Sequence, residues 1–424
     1  MVLARRSVLK WGAAAVAAGL PIPFVLAKRR ATPASLVSDP EGVLDLAPGL
    51  HYQVLSRTGE TMSDGFRVPG APDGMACFDL GGGRWALMRN HEVDNYVGQG
   101  AVPPGKSPPA QAFDKSAHGG VTRIVLDAKS GQKLSENLVL TGTVRNCAGG
   151  TSPWGWLSCE ETIAAGHGFV FLCRTDAASV QPPRPLTAYG RFNHEAALVD
   201  PATLIAYLSE DRSDGCLYRF VPKDPSHPFE GRLQALRLVD HHGIETTRGM
   251  KLREEHRVDW VDIAEPAPKD DSVRLQGHRQ GAAKIRRGEG LALHDGTLYL
   301  VSTTGGKADV GQIFALNLRG ESRFSLRAES PHENVLDCPD NVTVAPWGDI
   351  LVAEDGSSDQ FLRGITPEGR VYDLAHNARS RGEFTGVCLS PDARFLFVNL
   401  QREGLTFAIS GDFRAARARA RGMV

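Results

Sequence analysis

The chain has 424 residues, with 48 Lys+Arg against 49 Asp+Glu and a net charge of −1, which excludes the basic excess of a nucleic-acid-binding surface. A hydrophobic fraction of 42% suits a globular core, and 46 glycines with 26 prolines favour many short strands joined by turns. The seven cysteines (Cys77, Cys147, Cys159, Cys173, Cys216, Cys338 and Cys388) are odd in number and include no C-x-x-C pair, which excludes a complete disulfide framework and a zinc ribbon.

At the start of the chain, Arg5-Arg6-Ser7-Val8-Leu9-Lys10 precedes an alanine-rich apolar run from Trp11 to Leu26, and Val25-Leu26-Ala27 ends in a small residue. This predicts a twin-arginine signal peptide over residues 1–27 and delivery by the twin-arginine export machinery to the periplasm or beyond. A retained membrane anchor is the competing reading. Pro21 and Pro23 interrupt the run, and a span needs about 20 clean apolar residues, so no stable membrane span is expected after cleavage. Export by this route carries proteins already folded, often with metals in place. Residues 28–48 read as a polar lead-in, 49–412 as the main domain, and 413–424 as a tail that is helical from Phe413 to Arg421.

Beyond the signal the chain repeats. Aligning turns that precede apolar strands brings Pro153, Pro201, Asp295, Pro346 and Pro391 into register, at intervals of 48, 94, 51 and 45 residues. Six positions before them stand Cys147, Glu195, Glu289, Asp340 and Thr385. After each turn an apolar strand ends in polar residues: Glu160-Glu161, Glu210-Asp211, Ser302-Thr303-Thr304, Glu354-Asp355 and Asn399. A sixth copy, Gly83 to Met88, leads to Asn90-His91-Glu92 and follows Asp73-Gly74. Three of the intervals suit one propeller blade each, and the long one requires an insertion. The pattern predicts an all-β fold, a six-bladed β-propeller in which every unit is a hairpin with room for outer strands. A two-sheet sandwich would not repeat one polar position six times.

Equivalent blade positions ring a central channel, so Cys147, Glu195, Glu289 and Asp340 are expected at one mouth. Glu92, Glu160, Glu161, Glu210, Glu354 and Asp355, at the ends of the paired strands, form a second set whose mouth depends on strand direction. Glu160 and Glu161 are neighbours, which face opposite ways in a strand and converge only where it ends. Taken alone, Cys147 with its acidic pair reads more simply as a buried thiol beside a solvated turn. Recurrence changes the balance: so many acids around one axis repel without cations, which predicts a central metal site rich in oxygen ligands with one sulfur.

Together, Asn90-His91-Glu92, Asn146-Cys147-Ala148-Gly149-Gly150 with Pro153-Trp154-Gly155 and Cys159-Glu160-Glu161, Arg191-Phe192-Asn193-His194-Glu195, Arg287-Gly288-Glu289-Gly290, Pro339-Asp340-Asn341 with Pro346-Trp347-Gly348 and Glu354-Asp355-Gly356, and Gly386-Val387-Cys388-Leu389-Ser390-Pro391 resemble the PhoX-type alkaline phosphatase family over roughly residues 50–402. The resemblance implies a secreted, twin-arginine-exported propeller that hydrolyses small-molecule phosphomonoesters, and a monomer is expected. Its implied cofactor is a cluster of Fe³⁺ and Ca²⁺ with a bridging oxo group. By similarity, Cys147 is the thiolate ligand to iron, and Glu161, Glu195 and Glu289 are carboxylate ligands. Glu92, Glu160, Asp340 and Glu354 are further metal ligands on the same ground, and Arg287 contacts the phosphate. The segment between Pro153 and Glu160 looks one residue shorter than the usual family form, which leaves the register of Glu160 against Glu161 open. Gly288 stands where proline is more usual.

The chemistry is coherent with that set. A phosphomonoester dianion repels hydroxide, and multivalent cations relieve the repulsion. Thiolate suits iron, and carboxylates suit calcium. Arg287 offers a bidentate contact, although next to Arg286 it would also suit a surface role. His91 and His194 read as supports beside proposed ligands, Cys159 as core, Asn146 and Asn341 as turn formers, and Lys307 as a loop lysine. Two other functions compete. A calcium-dependent propeller lactonase or arylesterase would tolerate Cys147→Ser and needs no Arg287. In a noncatalytic periplasmic propeller, metal would only staple the channel.

Overall fold

Every turn aligned in the sequence lies between two antiparallel strands. The first strands of these hairpins are Pro72–Gly81, Gly150–Ser152, His194–Val199, Gly288–His294, Pro339–Val344 and Phe384–Leu389. Their partners are Arg84–His91, Gly155–Cys159, Ala206–Glu210, Thr297–Ser302, Ile350–Glu354 and Phe395–Leu400. The computed structural model describes residues 33–94 and 99–422, so the signal peptide expected over 1–27 lies outside the described residues.

The first strands touch one another in a closed cycle. Pro72–Gly81 meets Gly150–Ser152, which meets His194–Val199, and so on through Phe384–Leu389 back to Pro72–Gly81. Outer strands extend the hairpins into five hydrogen-bonded sheets among the described residues, and the protein is an all-β propeller. The largest sheet has nine strands because Glu255–Asp262 pairs with Gly231–Leu238 on one side and Arg323–Glu329 on the other. That bridging strand lies in the long interval where an insertion was expected, together with the short helices Thr246–Gly249 and Val273–Arg279. The chain is closed by Leu50–Arg57, which pairs with Leu405–Gly411 and so joins the N-terminal part to the last sheet.

Facing sheets bury their apolar sides against each other. Leu87 and Ile124 pack with Phe397, Met88 and Val121 with Trp156 and Phe171, and Leu351 and Leu374 with Leu396 and Phe407. Each such side chain contributes about 1.5–3 kcal/mol by leaving water. Two segments differ from expectation. The lead-in contributes Leu44–Leu46, an edge strand on Arg370–Asn377, because Leu44 and Leu46 reach the core. The C-terminal helix spans only Phe413–Arg417, and Arg421–Gly422 pairs with Arg370–Asn377 instead. A segment that short does not sustain a helix unaided, and the sheet edge offers it backbone partners.

Near the axis the strands crowd. A Cβ on Gly74 would fall inside the carbonyl of Ala148 on the next sheet, and one on Gly290 would lie 2.6 Å from the Asp340 carbonyl oxygen. Gly74→Ala is therefore expected to destabilise the fold by about 3 kcal/mol or more, since only backbone movement can make room. Urea unfolding of the variant checks this, and an unchanged midpoint would show that the axis can expand.

Candidate metal centre

Antiparallel pairing answers the question of strand direction. The start of each first strand and the end of its partner lie at the same end of the hairpin, so both sets of acids come to one mouth. Local distortion then aims the first set. The register shifts between Pro72 and Met75, His194 and Ala197, Gly288 and Leu291, and Pro339 and Val342, which are β-bulges enclosing Asp73, Glu195, Glu289 and Asp340. A bulge places two residues opposite one and redirects a side chain, here toward the channel.

The period of two sorts the second set. Glu92, Glu161 and Asp355 meet the first set, whereas Glu160, Glu210 and Glu354 turn back into their own sheets. Four clusters have ligand atoms within 4.8 Å of one another: Asp73, Glu92 and Cys147; Cys147, Glu161 and Glu195; Glu195, Glu289 and Asp340; and Asp340, Asp355 and Glu383. Shared members link them into one continuous arc.

Glu160 and Glu354, expected as metal ligands, are not in that arc. Glu160 accepts hydrogen bonds from the amides of Val144, Gly168 and Phe169 and lies 2.7 Å from His167 Nδ1. Glu354 accepts from the amides of Asp337 and Phe361 and pairs with Arg363. Glu210 does the same for Cys216 and the Tyr218 hydroxyl. In three sheets, then, a buried carboxylate stitches its own loop: both oxygens are taken in Glu160 and Glu354, while Glu210 bonds through Oε2 and its Oε1 lies 3.8 Å from Arg274. The register left open in the sequence resolves with Glu161 at the mouth.

Asp73 and Glu383 complete the arc without having been singled out as ligands, and Asp355, a member of the second set, joins it. Asp73 and Asp355 stood at repeat positions already aligned. Glu383 is two residues before Thr385, as Arg145 is before Cys147 and Arg287 before Glu289, so extending the register would have found it. Gln401 was also missed. It donates to Asp73 Oδ2 at 2.7 Å and to Glu92 Oε2 at 3.0 Å.

The donors fit cations. Both Glu195 oxygens and Asp73 Oδ1 are buried with no hydrogen-bond partner among the described residues. An unpaired buried carboxylate oxygen is strongly unfavourable unless a positive charge meets it. Cys147 Sγ lies 3.9 Å from Asp73 Oδ2. Burial first, then the nearby acids, push its thiol well above the usual range, so without a cation it stays protonated.

Arg287 sits in the left-handed region at φ 49°. It donates from Nε and Nη2 to the two oxygens of Asp211 at 3.0 and 3.3 Å, and Nη2 lies 2.7 Å from Glu289 Oε1. Although burial opposes it, Glu289 and Asp211 hold the guanidinium protonated. Arg145, at φ 51°, bridges Glu92 at 2.6 Å and Glu161. His91 bonds Gly70 and Thr122, and His194 bonds the Gly190 carbonyl. Burial pushes His194 down to about 3, so it stays neutral, and both rings support the strands rather than join the arc. Lys307 is exposed, and Cys159 is core.

Burial, followed by mutual repulsion, raises Asp73, Glu195, Glu289, Asp340 and Glu383 well above the ordinary carboxylate range. Below the unfolded values both states are protonated and stability is fully present. As pH rises, the unfolded chain ionises first, and stability is lost until the folded values are passed. Metal-free protein should therefore melt progressively lower as pH rises above about 4, where the unfolded carboxylates ionise, and saturating cations should remove the slope. Calorimetry in chelator checks this, and a pH-independent melt would contradict it.

Eight acids and one thiol around the mouth of an all-β channel define the class: a propeller with a candidate polynuclear metal centre. The chain belongs to the alkaline phosphatase PhoX family, whose model matches residues 32–404. Among solved structures, PhoX of Pseudomonas fluorescens, in complex with vanadate, a transition state analogue, is similar with a TM-score of 0.69 at 18% identity, covering 90% of this chain and 97% of that one. A gluconolactonase from Xanthomonas campestris has a TM-score of 0.45 at 11% identity, covering 91% and 100%. The calcium-binding protein regucalcin from Agrobacterium tumefaciens has 0.44 at 13%, covering 85% and 96%. No match was found among the curated proteins.

Proposed function

We propose that this chain is a secreted phosphatase that hydrolyses phosphomonoesters at a mixed iron and calcium cluster in the channel of a six-bladed propeller. The observation that carries the reading is one thiol set among eight carboxylates beside a forked arginine, in a chain of this family. The blade count comes from splitting the nine-stranded sheet at Glu255–Asp262, which leaves six hairpins around the axis.

Cys147 would hold iron through sulfur, and the carboxylates of Asp73, Glu92, Glu161, Glu195, Glu289, Asp340, Asp355 and Glu383 would share the cations. Such cations, when bound, neutralise a phosphate dianion and activate an oxygen nucleophile. The protein's own groups do the rest. Arg287, fixed by Asp211, presents its guanidinium at the mouth to orient the phosphate. Gln401 keeps Asp73 and Glu92 turned inward. Arg5-Arg6 would direct the folded, loaded protein through the twin-arginine route to the periplasm.

Purified protein is expected to contain iron and calcium and to hydrolyse p-nitrophenyl phosphate, with chelation abolishing turnover. Calcium without iron would remove the mixed cluster. Full metal content with no phosphomonoester hydrolysis would remove the phosphatase.

A further inference from the structure

In every hairpin one residue follows the point where the partner strand stands opposite the start of the first strand. Around the ring these residues are Glu92, Glu161, Asp211, Thr303, Asp355 and Gln401. Four of them are carboxylates, and Glu92, Glu161 and Asp355 belong to the candidate clusters. Gln401 is the amide of the same length as the glutamates at 92 and 161.

An amide differs from a carboxylate at such a place because it can donate. Gln401 Nε2 donates to Asp73 Oδ2 at 2.7 Å and to Glu92 Oε2 at 3.0 Å. Its sheet supplies two more donors to the same stretch of the first sheet. Thr385 Oγ1 donates to the Pro72 carbonyl and Asn399 Nδ2 to the Asp73 carbonyl, each at 2.8 Å. The group of Asp73, Glu92 and Cys147 is thus met by hydrogen-bond donors, where a glutamate at 401 would meet it with a third carboxylate.

The consequence is a count of oxygens. Gln401 engages one oxygen of each acid and so restrains both carboxylates from turning to offer two oxygens to one cation. The second Glu92 oxygen lies 2.6 Å from Arg145. The group keeps few oxygens beside its sulfur. Calcium takes about six to eight oxygen ligands, often both from one carboxylate, whereas a thiolate suits iron.

We propose that Gln401 is a positioning residue that sets metal selectivity. Its amide keeps the Asp73, Glu92 and Cys147 group short of oxygen donors, so that this end of the arc takes iron and leaves calcium to the all-carboxylate groups around Asp340. This rests on the mixed-cluster reading above.

The test compares wild type with Gln401→Glu, which restores the acid, and Gln401→Met, which keeps the length but cannot donate. Iron and calcium content, the visible absorption of an iron–thiolate bond and the melting temperature are measured on each, before and after dialysis against excess calcium. Iron retention is expected to weaken about 10- to 100-fold in both variants, the scale for an outer partner of metal ligands. Only Gln401→Glu should gain calcium in place of the iron. Unchanged iron content and absorption in both variants would overturn the proposal and leave the mixed cluster standing. Loss of iron and calcium together, with a lower melting temperature, would make Gln401 a brace between the last and first sheets and overturn it too. Wild type that holds calcium without iron would remove the mixed cluster, and the proposal with it.

Discussion

Glu195→Gln is expected to cost more than about 100-fold in phosphatase turnover, above the usual effect of losing an outer-shell partner of a metal site. The same change should raise the melting temperature of the metal-free protein. Glu195 belongs to two of the four clusters and links the cysteine side of the arc to the aspartate side. Its oxygens are both buried without hydrogen-bond partners among the described residues, and Glu289, Glu161, Asp340 and Asp73 all repel its charge. Glutamine keeps the shape, removes the charge and offers amide hydrogens to the facing carboxylates. Without cations the substitution therefore relieves repulsion, which for a chain of this length raises the melting temperature by about 1 °C for each kcal/mol. The gain should grow with pH and vanish in acid, where Glu195 is protonated anyway. Elemental analysis, turnover of p-nitrophenyl phosphate and melts in chelator read the two effects separately. Lost activity with a lower metal-free melting temperature would make Glu195 a structural residue.

The second large effect is at Arg287. Replacing it by alanine removes a forked donor from a partly desolvated mouth, a loss of about 100- to 1,000-fold in kcat/KM. Lysine keeps the charge but not the fork, and it cannot span both Asp211 oxygens, so it should recover only part of that loss. If Arg287 binds the transition state better than the ground state, vanadate affinity should fall more than phosphate affinity. Equal losses would limit Arg287 to substrate capture. Because alanine also leaves Asp211 and Glu289 without their cation, the metal content of each variant must be measured beside the kinetics.

The order of the arc follows from small departures from ideal geometry. Flat hairpins would alternate side chains regularly and leave half of these acids facing the sheet interior. The bulges at Asp73, Glu195, Glu289 and Asp340 bring the first strands' acids inward while the partner strands keep strict alternation. One protein thus uses adjacent carboxylates for opposite purposes: Glu160 binds loop amides, and Glu161 faces the arc.

Much of this was legible in the chain itself. Turn residues and apolar strands recur at blade spacing, so the hairpins and the polar position six residues before each turn could be read directly. Cys147, Glu195, Glu289 and Asp340 followed from that register alone. What required the folded molecule was the choice between neighbours. Sequence distance cannot separate Glu160 from Glu161 or Glu354 from Asp355, because which of two adjacent residues faces the axis depends on the register of hydrogen bonds with another strand. The same holds for Glu383, which reaches Asp340 because neighbouring sheets pack side by side, and for Gln401, which reaches Asp73 because the last sheet closes against the first. Periodicity is a property of the strand and is written locally. Convergence on an axis is a property of the closed ring, and it exists only once distant strands have met.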